Sequence, residues 1–358
     1  MSDTPKPDQF STLTELLEAT GSKLRLYDMG RRIQRVSRLQ FIKFERYEIA
    51  WPAPLARHAW LALLQTGSAN DEPVIWFLKL PLDEQGKLVQ AARDYFVQRL
   101  AEVWALNKTQ ESNIPDALKD NPFVFKPREE RMAAFHAKVS VDLKQPVSNS
   151  HAHAKEYFSG EAGWEQWQFV GYQGIADVAA RFAENNNTSL ITKAVPQLPA
   201  EPLTALCHCL ENEEIPLPIA KALLERLQHT MDSGQPDIAL VTALIRGISG
   251  TVSRTTLASM FERVMQQTAA QHVDVLTAVA GRAWNLLTDE EMAVTYLSRL
   301  ANNSAGQEVF NAVMRDLLAI PALRNHLLSA AKNADIEQQM QIFQKSLREE
   351  RKPDTSAT

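Results

Sequence analysis

Long apolar runs are missing from this sequence. Nowhere do about 18 consecutive apolar residues occur, the length a helix needs to cross a bilayer, so no membrane span is expected. Cysteine is scarce, with two among 358 residues. Cys207 and Cys209 sit two apart in one helical pattern, where their side chains diverge and a structural disulfide does not close. A dominant charge is missing as well: 38 Lys and Arg against 43 Asp and Glu leave a net charge of -5. No global positive field therefore draws the chain onto nucleic acid or anionic lipid. The opening, MSDTPKPDQFSTLTELL, has acids where a secretory leader needs bases and then an apolar core. A cytoplasmic protein is the expectation. No Gly-x-x-x-x-Gly-Lys loop, His-Glu-x-x-His pair or Gly-x-Ser-x-Gly elbow occurs, and Gly171-Tyr172-Gln173-Gly174 lacks the third glycine of a dinucleotide fingerprint. These absences lower the case for an enzyme without excluding one. They assign no catalytic residue, metal or cofactor.

What is present first suggests a small mixed α and β region over residues 1–160. Leu13, Leu16 and Leu17 have helical spacing, and Lys23–Tyr27 alternates as a strand does. Arg31 to Glu45 suggests a helix, broken by Trp51-Pro52-Ala53-Pro54. The best hairpin signal joins Arg57–Leu64 to Val74–Leu80 through Gly67-Ser68-Ala69-Asn70-Asp71. Both arms are mostly apolar, which predicts cover on both faces. Leu88–Leu106 forms an amphipathic helix, Phe123-Val124-Phe125 suits a short strand, and 128–143 and 151–158 suit helices. Residues 161–200 then act as an adaptor, and 351–358 as a tail.

From Glu201 the pattern repeats. Gln235-Pro-Asp-Ile-Ala-Leu aligns with Gln271-His-Val-Asp-Val-Leu and Gln307-Glu-Val-Phe-Asn-Ala under a shift of 36 residues, which also lays Arg246 on Arg282 and Arg263 on Arg299. Each unit holds two amphipathic helices that cannot bury their apolar faces alone, so they stack in register. The fold class is thus an α+β N-terminal domain followed by an all-α, HEAT-like α-solenoid of about four helix pairs over residues 201–350, mostly helical overall.

Several constellations carry candidate chemistry. Arg31, Arg32, Arg35 and Arg38 lie at spacings that gather at least three of them on one face of the predicted helix and suit phosphate, nucleic acid or an acidic partner, although a solvated face paired with nearby acids explains them as well. Asp83-Glu84 follows a strand, where either a catalytic acid or a turn cap belongs. Cys207-His208-Cys209 and His151-Ala152-His153 diverge too much on a helix to hold a metal. Trp164, Trp167, Gly171, Gly174, Asp177 and Arg181 mark the domain junction: the glycines permit close approach, and Asp177 and Arg181 lie one helical turn apart.

Tyr27-Asp28-Met29-Gly30-Arg31-Arg32, Trp76-Phe77-Leu78-Lys79-Leu80-Pro81-Leu82-Asp83-Glu84 and Gly174-Ile175-Ala176-Asp177 resemble an uncharacterised gammaproteobacterial family catalogued only as a domain of unknown function. The resemblance covers nearly the whole chain and implies a bacterial cytoplasmic protein, but brings no activity or catalytic residue. The reading that best fits the residues is a non-enzymatic protein-protein interaction or scaffold protein. Its recurring surface would use Arg246 and Arg282, and likewise Arg226, Arg263 and Arg299, unless these pair with acids such as Glu225, Glu262, Asp289 and Glu290. Two alternatives stay open: an enzyme or small-ligand binder between the domains near Asp83, Asp177 and Arg181, and nucleic-acid or acidic-partner binding through Arg31–Arg38. The partner would be another protein, with nucleic acid disfavoured and a homo-oligomer open.

Overall fold

Strand alternation in the first third produces one antiparallel sheet. β1 (Lys23–Asp28), β2 (Gln34–Val36), β3 (His58–Thr66) and β4 (Val74–Pro81) lie in the order β2-β1-β3-β4. The computed structural model describes residues 12–19, 23–67, 73–107 and 121–350, excepting the side chains of 103–107 and 350. The expected hairpin is β3–β4, with Leu61 opposite Leu78 and Leu63 opposite Trp76; most of its turn, the loop before residue 121 and the expected tail lie outside the described residues. Helices α1 (Leu13–Glu18), α2 (Arg38–Glu45) and α3 (Gln90–Asn107) supply Leu16, Phe41, Phe44 and Phe96 to a core shared with Leu61, Leu63, Trp76 and Leu78. Trp60 and Phe77, half a pleat away, are covered by Phe125 at ring separations of 4.8 and 5.8 Å. Phe125 arrives on a segment bridged to β4 at Val124, so the short strand expected at 123–125 is a single bridge.

The helix expected over Arg31–Glu45 is corrected to a strand followed by a shorter helix. Residues 34–36 pair with β1, placing Arg35 opposite Tyr27. Ser37 then starts α2 by accepting a hydrogen bond from the Gln40 amide. A strand pair satisfies the backbone of 34–36 and buries Val36, which helical periodicity alone does not reveal.

The remaining helices alternate between two layers. One layer holds α4 (Glu129–Asp142), α6 (Tyr172–Ala180), α8 (Ala200–Leu210), α10 (Ile238–Ile248), α12 (Val273–Arg282), α14 (Gln307–Leu318) and α16 (Glu337–Glu350). The other holds α5 (His151–Ser159), α7 (Asn187–Ala194), α9 (Leu217–Met231), α11 (Arg254–Gln266), α13 (Glu290–Ala301) and α15 (Arg324–Asn333). Each helix packs on the next of its own layer and, in most pairs, on its partner across, an α-solenoid arrangement. Leu206, Leu223, Leu244, Phe261, Leu276 and Leu297 are among the buried residues between the layers. The stack begins at Glu129, ahead of the first recognisable repeat. The chain divides into two compact units, one running to Pro127 and including Ala319–Pro321, the other holding Arg128–Leu318 and the residues from Ala322. The boundaries expected at 160 and 200 therefore fall inside the helical unit.

Candidate functional site

Glu211 closes α8 at the negative end of its dipole, the least favourable end for a carboxylate. It is also 1 % exposed. Such a group persists only with cations against it, and three come from neighbouring helices of the same layer. Arg246 of α10 donates through Nε and Nη2 to the two carboxylate oxygens at 2.5 and 2.9 Å. Arg282, the last residue of α12, places Nε at 2.8 Å from Oε2. Arg131 of α4 places Nη1 at 3.6 Å from Oε1. Burial by itself would raise the Glu211 carboxyl; the guanidinium groups of Arg282 and Arg246 outweigh it and hold it at about 2. The paired carboxylate in turn raises Arg246 despite its burial.

Helix packing delivers these residues to one point. A Cβ on Gly247 would sit 2.9 Å from Cys207 Sγ, and one on Gly250 only 2.5 Å from the Leu210 carbonyl oxygen. Glycine thus lets α10 lie close against the end of α8, where Arg246 reaches Glu211. Cys207 is a packing residue here, buried and pushed up as a thiol chiefly by that burial. Cys209 is equally buried, and its sulfur meets the Tyr172 hydroxyl.

Above the ion cluster lies an open groove of about 420 Å³ across α8, α10 and α12. His208, Arg246 and Arg282 form one row of it, Thr204, Thr242 and Ala278 the next, and Ala239, Thr277 and Asp274 complete the lining. Thr242 Oγ1 is buried without a hydrogen-bond partner among the described residues. Burial pushes His208 down to about 4, with Arg246 adding to the effect, so the imidazole is neutral at neutral pH. The arrangement has fixed guanidinium donors, hydroxyls and one exposed acid.

The expected site residues scatter. Arg31 is fully buried and donates from Nε to the Pro54 carbonyl at 2.9 Å. Arg32 is half-buried, Arg35 is exposed on β2, and Arg38 pairs with Glu18. The expected shared helical face does not form, because the chain turns into β2 where a helix was expected. Arg226, Arg263 and Arg299 lie on the second layer, in α9, α11 and α13. Arg226 caps the Pro196 and Leu198 carbonyls and Arg263 contacts Gln228, so these two serve packing between units of the stack. Asp83 accepts from the Gln85 and Lys87 amides, a turn-closing role.

The stretch expected to join two domains lies inside the helical unit. Trp164 stacks edge-on against Tyr157 at 5.7 Å, Trp167 is half-buried, and Gly171 faces Ser150. A Cβ on Gly174 would lie 2.4 Å from the Ser150 carbonyl oxygen, so α6 needs glycine to pack on α5. Asp177 and Arg181 pair at 3.3 Å, as their spacing suggests. Asp177 also accepts from the Ser148 amide, while Arg181 reaches Ser140 Oγ and the Gln145 carbonyl. Both are buried and satisfied, a brace between α4, α6 and the loop before α5.

Sequence reasoning found Arg246 and Arg282 but missed Glu211, which ties them together. The acids it paired with them, Glu225, Glu262, Asp289 and Glu290, lie on or beside second-layer helices. A signal did exist in an acid at the apolar end of Leu206-Cys207-His208-Cys209-Leu210-Glu211, where a helix favours a base. Among the described residues no group of three His, Cys, Asp or Glu side chains is placed to hold a metal, and no helix is long and apolar enough to cross a membrane. No curated protein and no solved structure matches the chain. Residues 8–347, nearly the whole chain, match the family described as a protein of unknown function, DUF3549, and the chain belongs to that family.

Proposed function

We propose that this chain is a bacterial cytoplasmic interaction protein that binds another protein through the first-layer face of its helix stack, at the groove over α8, α10 and α12. The observation supporting this most strongly is the groove itself. Its polar groups come one set per helix from three successive units, and Glu211 orients two guanidinium groups along its base. A surface built by repetition suits an extended partner. An enzyme needs acid, base and nucleophile converging on one point, whereas the acid of this lining, Asp274, lies eight residues along α12 from Arg282.

The test uses Ala239, which is exposed in the groove. Full-length protein and Ala239→Trp are compared in affinity capture, with a surface control at exposed Glu225. The reading expects a partner recovered by the parent and the Glu225→Gln control, and lost with Ala239→Trp. A partner retained equally by all three would remove the groove from the interaction.

A further inference from the structure

We propose that the groove holds an acidic side chain of an extended polypeptide segment, its carboxylate on Arg246 and Arg282 and its neighbouring residues running toward Asp274. This rests on the groove being the contact face and adds the chemistry of what it takes.

Three guanidinium groups meet at the one buried carboxylate of Glu211, and Arg246 and Arg282 also line the groove. Arg246 uses Nε and Nη2 on Glu211, and among the described residues Nη1 has no partner. Its side chain is 26 % exposed, so that free edge is within reach of a ligand. Glu211 keeps the donor from moving, so an incoming carboxylate meets a pre-oriented fork with little ordering cost. Thr242 Oγ1, buried without a partner in the same lining, offers a further hydrogen bond.

Asp274 decides the class of ligand. It lies on α12 eight residues before Arg282, about 12 Å along the axis, and is exposed at the other end of the lining. A nucleic-acid backbone would bring repeating negative charge past Asp274, onto a chain that already carries -5. A polypeptide brings one carboxylate to the arginines and, about four extended residues later at about 3.3 Å each, an amide or a basic side chain to Asp274. A small free acid would occupy only the arginine end of the 420 Å³.

The test selects phage-displayed random peptides on the immobilised full-length protein, then measures binding of recovered peptides by fluorescence anisotropy. Recovered peptides should share an Asp or Glu, and changing it to the amide should weaken binding at least about tenfold, the scale of a charged hydrogen bond. With Arg246→Gln, or Arg282→Gln where the first fails to fold, that same change should cost clearly less than in the parent, since one of the two guanidinium partners is already gone; an undiminished cost would overturn the assignment. Peptides that are lost on Ala239→Trp yet need no acid would overturn the carboxylate assignment and leave the groove reading standing. Peptides indifferent to Ala239→Trp, or none recovered, would overturn both. Displacement by inorganic phosphate as effective as by the unlabelled peptide would make this a phosphate site instead.

Discussion

At the scale of single residues the governing fact is that a buried carboxylate and its arginines stand or fall together. Glu211→Gln removes the buried carboxylate that Arg131, Arg246 and Arg282 share. A loss of about 3–5 kcal/mol is expected in urea unfolding, against less than about 0.5 kcal/mol for exposed Glu225→Gln; equal effects would show that the cluster contributes nothing special. Titration supplies a second handle. His208 falls to about 4 from 6.5, so between those values the unfolded chain binds the extra proton and stability drops as pH falls. Glu211, held at about 2 from 4.5, adds a loss only below pH 4.5. Glu45 and Glu213 run the other way: burial raises both from 4.5 to about 7, so their contribution declines as pH rises through that interval. His208→Gln should therefore remove about 2–3 kcal/mol of the acid-side loss between pH 7 and 4, read as the change in unfolding free energy against pH. An unchanged pH profile would mean His208 is solvated in the folded chain.

At the scale of elements, small residues determine which helices approach. In α6 a side chain at Gly174 collides with the Ser150 carbonyl, a backbone atom that cannot rotate away. Gly174→Leu should lower stability by at least about 1–3 kcal/mol by overpacking. Gly281 in α12 has nothing within 4 Å of a built Cβ and a helical backbone. Gly281→Ala should be neutral or stabilising by up to about 1 kcal/mol. Thermal unfolding of the pair separates close packing from backbone entropy, and similar shifts for both would refute the distinction. The pairing of α2 with the start of α1 shows what a periodic pattern leaves out. Glu45, at the end of α2, accepts from the Leu13 and Thr14 amides and so caps a helix more than 30 residues earlier in the chain.

At the scale of the whole molecule, each unit has its own core, and the helical one is stabilised by neighbour-on-neighbour packing. Leu244→Ala in α10, fully buried, should cost about 2–5 kcal/mol. In hydrogen exchange it should deprotect α8 to α12 while β1, β3 and β4 keep their protection; loss throughout both units would mean they unfold as one. Much of this architecture was legible in the residues. Alternation located β1, two apolar arms around a glycine-containing turn located β3 and β4, and the 36-residue shift located α10 to α14, because each pattern reflects apolar side chains that must be buried. The earlier units, α4 to α7, follow the same layering without the repeat phrases, since burial constrains polarity and size but not identity. Arg31 looked like part of an exposed face and is buried on the Pro54 carbonyl, because Gln34–Val36 pair back onto Leu26–Asp28 as a short hairpin in place of the expected helix. Periodicity along the chain was enough to find most of the stretches that bury apolar faces and the two arginines one repeat apart. That Arg246 and Arg282 share Glu211 follows from how closely α8 approaches α10, and a distance between helices is not written in the spacing along either one.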